Sequence, residues 1–327
     1  MAAPPRRDRA AVLLVSLALA AVTVYAQLRD LNHISTLRTA AIGLAPAWHF
    51  LETEQRSRHD AVLRRAAGDP WSYRVLSDGV IEALRRVLPG VSLPTIFVTL
   101  RFAQNAAIFA LAAAYFASSG FRPAMVQAGV AALAWSVCFA NYNAGLAFDT
   151  YFDVLFYLAA ATLVARRRVA LVPPLALLAA ANRETALLIP LLMAVTDDGR
   201  STRTRLAGAG ATLLGQIAVV LVIRTAVGPQ ELIVPEGHPP GPALLAYNLG
   251  RAVTWLNLGT TYLFLPAAAA LVWRRWPARL RTTFLGMVPL WTAVHFVAAI
   301  AAETRLFLVP WVIVVLPAAL VALEDRG

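Results

Sequence analysis

The chain has 327 residues, 59% hydrophobic and 14% charged, against roughly 45–50% and 25% in ordinary soluble domains. Its net charge is +11 and all 29 basic residues are arginines, but these sit between apolar blocks and form no single stripe, which argues against a nucleic-acid partner. The one cysteine, Cys138, excludes an intrachain disulfide and any multi-cysteine metal site within these residues.

Apolar blocks of about twenty residues are the pattern of membrane-spanning helices. The first expected span, 10–27, follows Arg6, Arg7 and Arg9 and ends at Val24-Tyr25-Ala26-Gln27. A Val-x-Ala ending can be read as a signal-peptide cleavage site, but the stretch nearly reaches spanning length and more spans follow, so an uncleaved first helix is expected. Residues 28–93 then form a long outer loop. Within it Ile34, Leu37, Ala41, Leu44, Trp48 and Leu51 recur at helical spacing, interrupted by Pro46. A second stripe, Leu76, Val80, Leu84 and Val87, opposes Asp78, Glu82, Arg85 and Arg86. Both read as helices lying along the membrane surface.

Further spans are expected at 94–118, 123–140, 150–165, 206–225, 257–275, 283–300 and 306–323. The segment 169–196 is too long for one helix and carries Arg183 and Glu184 near its middle. Arginines at 166–168 precede it and Arg200, Arg203 and Arg205 follow it. Placing both clusters on the cytoplasmic side requires two short helices, 169–181 and 185–196, folded as a hairpin. The inner loops then gather fifteen arginines, while the short outer loops hold only Arg183, Arg251 and Arg305. The expected fold class is therefore all-α: a polytopic membrane helix bundle of about ten transmembrane helices, two of them short and forming a hairpin. It is one integral membrane domain, 1–327, with both termini cytoplasmic and extracytoplasmic loops at 28–93 and 227–256.

A charge inside a membrane-length apolar stretch is costly and usually faces a bundle interior, a cavity or a substrate path. Asn182-Arg183-Glu184-Thr185 is such an insertion, and Glu303-Thr304-Arg305 nearly repeats it in reverse. On the same expected side lie Asp30, Asp69, Asp149 and Asp153, with Arg29, Arg74, Arg101 and Arg251. Carboxylates serve as general bases or hold a divalent cation, and arginines clamp phosphates. Each group also has a plain structural reading. Asp69 before Pro70 suits a helix N-cap, and Asp149 suits the cap of the fourth span. Asp30 could be an interfacial charge beside Arg29, and the Arg–Glu pairs could simply neutralise each other. Arg101 could snorkel to the surface, and His295 could be a helix–helix contact. The remaining histidines show no metal-ligand spacing. No nucleotide-binding loop and no nucleophile elbow is present.

The order DPWSYRVL, FDTYFDVLFYL ending in an arginine triplet, AANRETALLIPLL and AETRLFLVPWVIVVLPAAL resembles a group of bacterial multi-pass membrane proteins. These in turn resemble the GT-C superfamily of polyprenyl-phosphate-sugar-dependent glycosyltransferases. That resemblance implies a protein of the bacterial plasma (inner) membrane, moving a sugar from a polyprenyl-phosphate donor to an acceptor on the extracytoplasmic face. An acidic residue soon after the first helix serves there as base or metal-associated carboxylate. Asp30 occupies that place, with Asp69 a second candidate and a divalent cation as a candidate cofactor. The acidic pair usual in that loop is not evident. Arg74, Arg183 and Arg305 would stabilise the departing lipid phosphate. Glu184 and Glu303 would orient them or bind sugar hydroxyls, and Asp149 and Asp153 would line the substrate site. A transporter or flippase for an anionic lipid or small solute, and a non-catalytic membrane scaffold, are the rival readings.

Overall fold

A computed structural model describes residues 6–34, 45–141, 145–195 and 200–324. Leu37, Ala41 and Leu44 of the first expected surface stripe lie outside the described residues. Within them the chain is all-helical. In chain order the helices are α1 (Arg6–Ile34), α2 (45–63), α3 (Val75–Val87), α4 (Leu93–Ser118), α5 (Pro123–Phe139), α6 (Phe148–Ala165) and α7 (Val169–Ala180). They continue as α8 (Glu184–Val195), α9 (Thr202–Val227), α10 (Pro242–Gly250), α11 (Ala252–Tyr262), α12 (Leu265–Leu271), α13 (Ala278–Ala298) and α14 (Thr304–Leu323). Five segments are long and apolar enough to cross a membrane: Ala10–Leu31, Leu93–Ser118, Phe148–Ala165, Thr202–Val227 and Thr304–Leu323.

Local chemistry sets several of these boundaries. Ser92 caps α4, its hydroxyl accepting from the Thr95 amide with proline in the first turn, and Ser201 caps α9 through the Thr204 amide. Gly228, at φ 85°, ends α9 in a conformation that favours glycine. The window 257–275, expected as one span, is two helices. Leu263 takes φ 55° between them, and α12 has only 7 residues. The loop expected over 227–256 carries α10 over Pro242–Gly250 and the start of α11.

Burial ranks the long helices. In α14, 83% of the apolar window is buried, in α6 67% and in α4 56%, against 17% in α9. The bundle therefore forms around α14, α6 and α4, with α9 and α1 at its margin. In an apolar surrounding, helix pairing rests on close packing and polar bonds. Gly129 provides close packing: a Cβ there would lie 2.8 Å from both Leu320 Cδ1 and Phe116 Cε2, so α5 sits tight on α14 and α4. Polar bonds come from Asn105 to Thr23 Oγ1 at 2.9 Å and from Gln27 to the Val137 carbonyl at 3.0 Å. A smaller core of Leu31, Phe50, Leu51, Ile81, Phe97 and Phe148 fastens α2 and α3 onto α1, α4 and α6.

The arginines divide between the two ends of the bundle. At one end Arg166 donates to Ser118, Arg279 donates to Ser119 and Arg122 faces Glu324. At the other end Arg74, Arg183, Arg224 and Arg305 meet carboxylates.

Candidate functional site

The turn between α7 and α8 is anchored on α6. Asn182 Nδ2 donates to the Asp149 carbonyl at 2.7 Å and Arg183 Nη1 donates to Thr150 Oγ1 at 2.8 Å. Thr185 Oγ1 donates to Asp153 Oδ2 at 2.6 Å, and the Tyr157 hydroxyl donates to the Thr185 carbonyl at 2.6 Å. From α9, Gln216 Nε2 reaches the carbonyls of both Ala176 and Ala186, tying the two short helices together across the turn. Apolar flanks thus build two helices, and the polar NRET insert between them is held by partners on α6.

Around this turn runs a chain of ion pairs. Arg74 Nη1 lies 2.8 Å from Asp149 Oδ2, and its Nε lies 3.7 Å from Glu184. Arg183 Nε lies 3.8 Å from the same Asp149 oxygen. Arg224, from the end of α9, lies 3.2 Å from Asp69 and 3.7 Å from Glu184, with its guanidinium 4.2 Å over the Tyr73 ring. Neither Asp69 nor Asp149 makes the helix-capping bond that its position suggests: the residues at those caps are Pro70 and Ala147, with no side-chain bond. Both carboxylates hold arginines instead.

The second charged motif comes to the same region. Arg305 donates its amide to the Ala140 carbonyl at 3.1 Å and pairs through Nη2 with Glu303 at 2.5 Å. Its charge acts on Asp149, Arg183, Arg101 and Arg58. The charge of Asp30 acts on Cys138 and on Tyr151, the same Tyr151 on which Arg101 and Arg305 act. The structure thus brings Arg74, Asp149, Asp153, Arg183 and Glu184 into one network, joins Asp69 to it through Arg224, and sets Glu303 and Arg305 beside it. Arg101 does not snorkel. It is 0% exposed and stacks on Tyr151 at 3.5 Å. His295 bonds within its own helix, with Nδ1 2.8 Å from the Trp291 carbonyl, and its ring meets Phe307 of α14 at 5.8 Å.

Arg224 and His59 are the residues that sequence reasoning missed. Arg224 was visible only as the one charge near the end of the apolar run AVVLVIRTAV. His59, on α2, puts Nδ1 2.6 Å from Asp78 and Nε2 2.9 Å from Glu82, with its ring edge-on to Phe97 at 6.0 Å. This corrects the expected polarity of α3. Its most buried residues are Ser77 and Ile81, while Val87 of the apolar stripe is 74% exposed. Asp78 and Glu82 turn toward α2 because His59 reaches across to both. Carboxylates only accept, so both contacts are satisfied together by the doubly protonated ring.

Burial works against that charge, but the hydrogen bonds that the ring donates to Asp78 and Glu82, with their negative charges, outweigh it and raise the His59 pKa above its usual value. A raised folded pKa means that the clamp's stability is fully present below about pH 6.5 and is lost as pH rises through the folded value. Thermal stability of the parent should therefore fall across that alkaline window, whereas His59→Gln should show a flatter profile. Parallel profiles for the two proteins would remove the clamp from the account. Because Arg74 immediately precedes α3, the clamp also bears on the ion-pair network.

One hollow lies apart from this network. It is an open groove of about 660 Å³ between α2 and the start of α4, lined by Glu52, Arg56, Glu82, Arg85 and Arg86. At the network itself a small crevice of about 10 Å³ is lined by Tyr73, Ala180, Arg183, Glu184, Val220 and Ile223. It joins an apolar margin on α9 to the charged turn. Among the described residues no group of three or more His, Cys, Asp or Glu side chains could hold a metal ion. The donor set for the divalent cation is thus not found there, and the carboxylates face arginines or hydroxyls.

No family model, no curated protein and no solved structure matches the chain. Fold and site define a class in coarse terms. The described chain is all-helical, with several long apolar helices compatible with a membrane protein and an arginine–carboxylate network gathered at one end.

Proposed function

We propose that the chain is a GT-C-like glycosyltransferase of the bacterial plasma membrane. It would move a sugar from a polyprenyl-phosphate donor to an acceptor on the extracytoplasmic face. The observation that carries this reading is the arrangement of charged and apolar side chains at the α7–α8 turn, around a crevice of about 10 Å³. Its α9 side is apolar, through Val220 and Ile223, and its head is charged, through Arg183 and Glu184. An apolar chain ending in an anion has that same division. The positive-inside count places this end outside, with α7 and α8 as a re-entrant hairpin in a ten-helix topology.

In this reaction an acceptor hydroxyl oxygen attacks the anomeric carbon and its proton passes to a carboxylate. The bond from the anomeric carbon to the phosphate oxygen breaks, and the polyprenyl phosphate leaves with the electron pair. Asp30, near the C-terminal end of α1, is the base that the resemblance offers, with Asp69, which Arg224 meets at 3.2 Å, as the second candidate. Arg74, Arg183 and Arg305 offset the charge developing on the leaving phosphate. Glu184 steadies Arg74 and Arg224, and Glu303 steadies Arg305. Asp153 holds the turn through Thr185.

One observation favours a transporter instead: two short helices meet at a charged turn, a design that also serves ion-coupled transport. Reconstitution separates the two. In nanodiscs with a panel of polyprenyl-phosphate hexoses and pentoses and sugar acceptors, free polyprenyl phosphate should accumulate and be seen by mass spectrometry. If no donor is consumed, yet a labelled donor changes leaflet in liposomes, transport takes the place of transfer.

A further inference from the structure

Arg74 and Arg183 have carboxylate partners, but two other arginines in the same end of the bundle do not have enough. Arg101 is 0% exposed, and its Nε, Nη1 and Nη2 atoms make no hydrogen bond. Its guanidinium lies flat over Tyr151 at 3.5 Å, with the Phe148 ring at 5.2 Å. The Tyr151 hydroxyl is taken by Gln27 Nε2 at 2.6 Å. Stacking satisfies the face of a guanidinium and leaves the N–H groups of its edge pointing outward in the plane. Arg305 has a side chain 12% exposed and one partner, Glu303, through Nη2, while Nε and Nη1 make no hydrogen bond. The two arginines act on each other electrostatically.

Two like charges, both withdrawn from water and both short of acceptors, are strongly unfavourable unless something negative lies between them. The nearby carboxylates do not supply it. Asp149 makes its contacts with Arg74 and Arg183 and adds only its field at Arg101 and Arg305, and Asp153 accepts from Thr185. We infer that Arg101 and Arg305 form the seat of a tetrahedral phosphate oxyanion, which accepts from the edge of the stacked Arg101 and from Nε and Nη1 of Arg305. Planar forks suit phosphate oxygens, and a rigid aromatic platform under one fork fixes its direction. The inference deepens the proposed function and rests on it only for the identity of the lipid that carries the phosphate. A free phosphate has the same chemistry.

The test uses the full chain in detergent. Binding of inorganic phosphate, of a long-chain polyprenyl phosphate and of the neutral polyprenol is read by tryptophan fluorescence and by shifts in Tm. The parent should bind one or both phosphates and not the polyprenol. Arg101→Met and Arg305→Met should each weaken phosphate binding at least tenfold. Arg101→Met should also melt higher than the parent in phosphate-free buffer, because it removes an unpaired buried charge. Should Arg101→Met fail to fold, Arg305→Met alone carries the affinity comparison. A parent that binds neither phosphate, or variants that bind like the parent, would overturn the seat. Polyprenyl phosphate bound equally well by both variants removes the seat but leaves the lipid-phosphate reading intact. Inorganic phosphate bound through Arg101, with no binding of the lipid phosphate, keeps the seat and removes that reading.

Discussion

Asp149→Leu is expected to destabilise the protein by about 3–5 kcal/mol, the cost of breaking a buried ion pair and leaving its partner charged. Asp149 Oδ2 serves two arginines, Arg74 at 2.8 Å and Arg183 at 3.8 Å, whose side chains are 15% and 6% exposed. Removing that one carboxylate strands both of them. Arg183 retains only Thr150 as a hydrogen-bond acceptor, and Arg74 retains the longer contact with Glu184. The Asp149 carbonyl still receives Asn182, so the loss belongs to the side chain and not to the turn's backbone. Asp149→Asn should fall between the parent and Asp149→Leu, because it restores an acceptor without the charge. Adding Arg74→Met to Asp149→Leu should recover part of the loss, since one stranded charge is then gone. Urea or thermal unfolding in detergent measures all four proteins. If Asp149→Leu lies within about 0.5 kcal/mol of the parent, a typical surface substitution, the arginines are solvated and the network does not hold this end together.

How much of this was legible in the chain depends on distance along it. Apolar windows and helix boundaries are local properties, so α4 at Leu93–Ser118 and α6 at Phe148–Ala165 fall where windows 94–118 and 150–165 lie. The break at Leu263 is local too, but hydropathy records only how apolar a window is and not whether its backbone stays helical. The NRET insert announces a polar centre because its charges interrupt an apolar run, and that centre is found. What closes around it was not readable. Arg224 and Asp69 are 155 positions apart, and Arg74 and Asp149 are 75 apart. Such pairings exist only once the helices have packed. Helical periodicity likewise set Asp78 and Glu82 toward water, since a period knows one apolar face. It cannot record that His59 approaches from another helix and turns that face by about one residue. Arg101 failed for the same reason: its aromatic platform, Tyr151, belongs to α6.

Asp30→Asn is expected to reduce the rate of sugar transfer by roughly 10²–10⁴-fold, the usual contribution of a positioned general base. The amide has nearly the shape of the carboxylate but cannot take the acceptor's proton. Donor binding should hold, because the amide keeps the size of the carboxylate and Arg74 and Arg183 keep their own carboxylate partner, Asp149. The loss should therefore appear in kcat, with KM for the donor nearly unchanged. Asp69→Asn makes the contrast. Its carboxylate faces Arg224, which also faces Glu184, so the change frees an arginine at the head of the cleft for the donor phosphate and should lower the donor KM more than it changes kcat. Single-turnover measurements in nanodiscs, with expression and Tm matched, separate the two patterns. If Asp69→Asn abolishes turnover while Asp30→Asn turns over like the parent, the base lies at the Asp69 end of the network, and the Arg224 pair must open before each reaction. If both variants transfer normally, neither carboxylate moves the proton, and Glu184 and Glu303 become the remaining acids at the charged turns to replace.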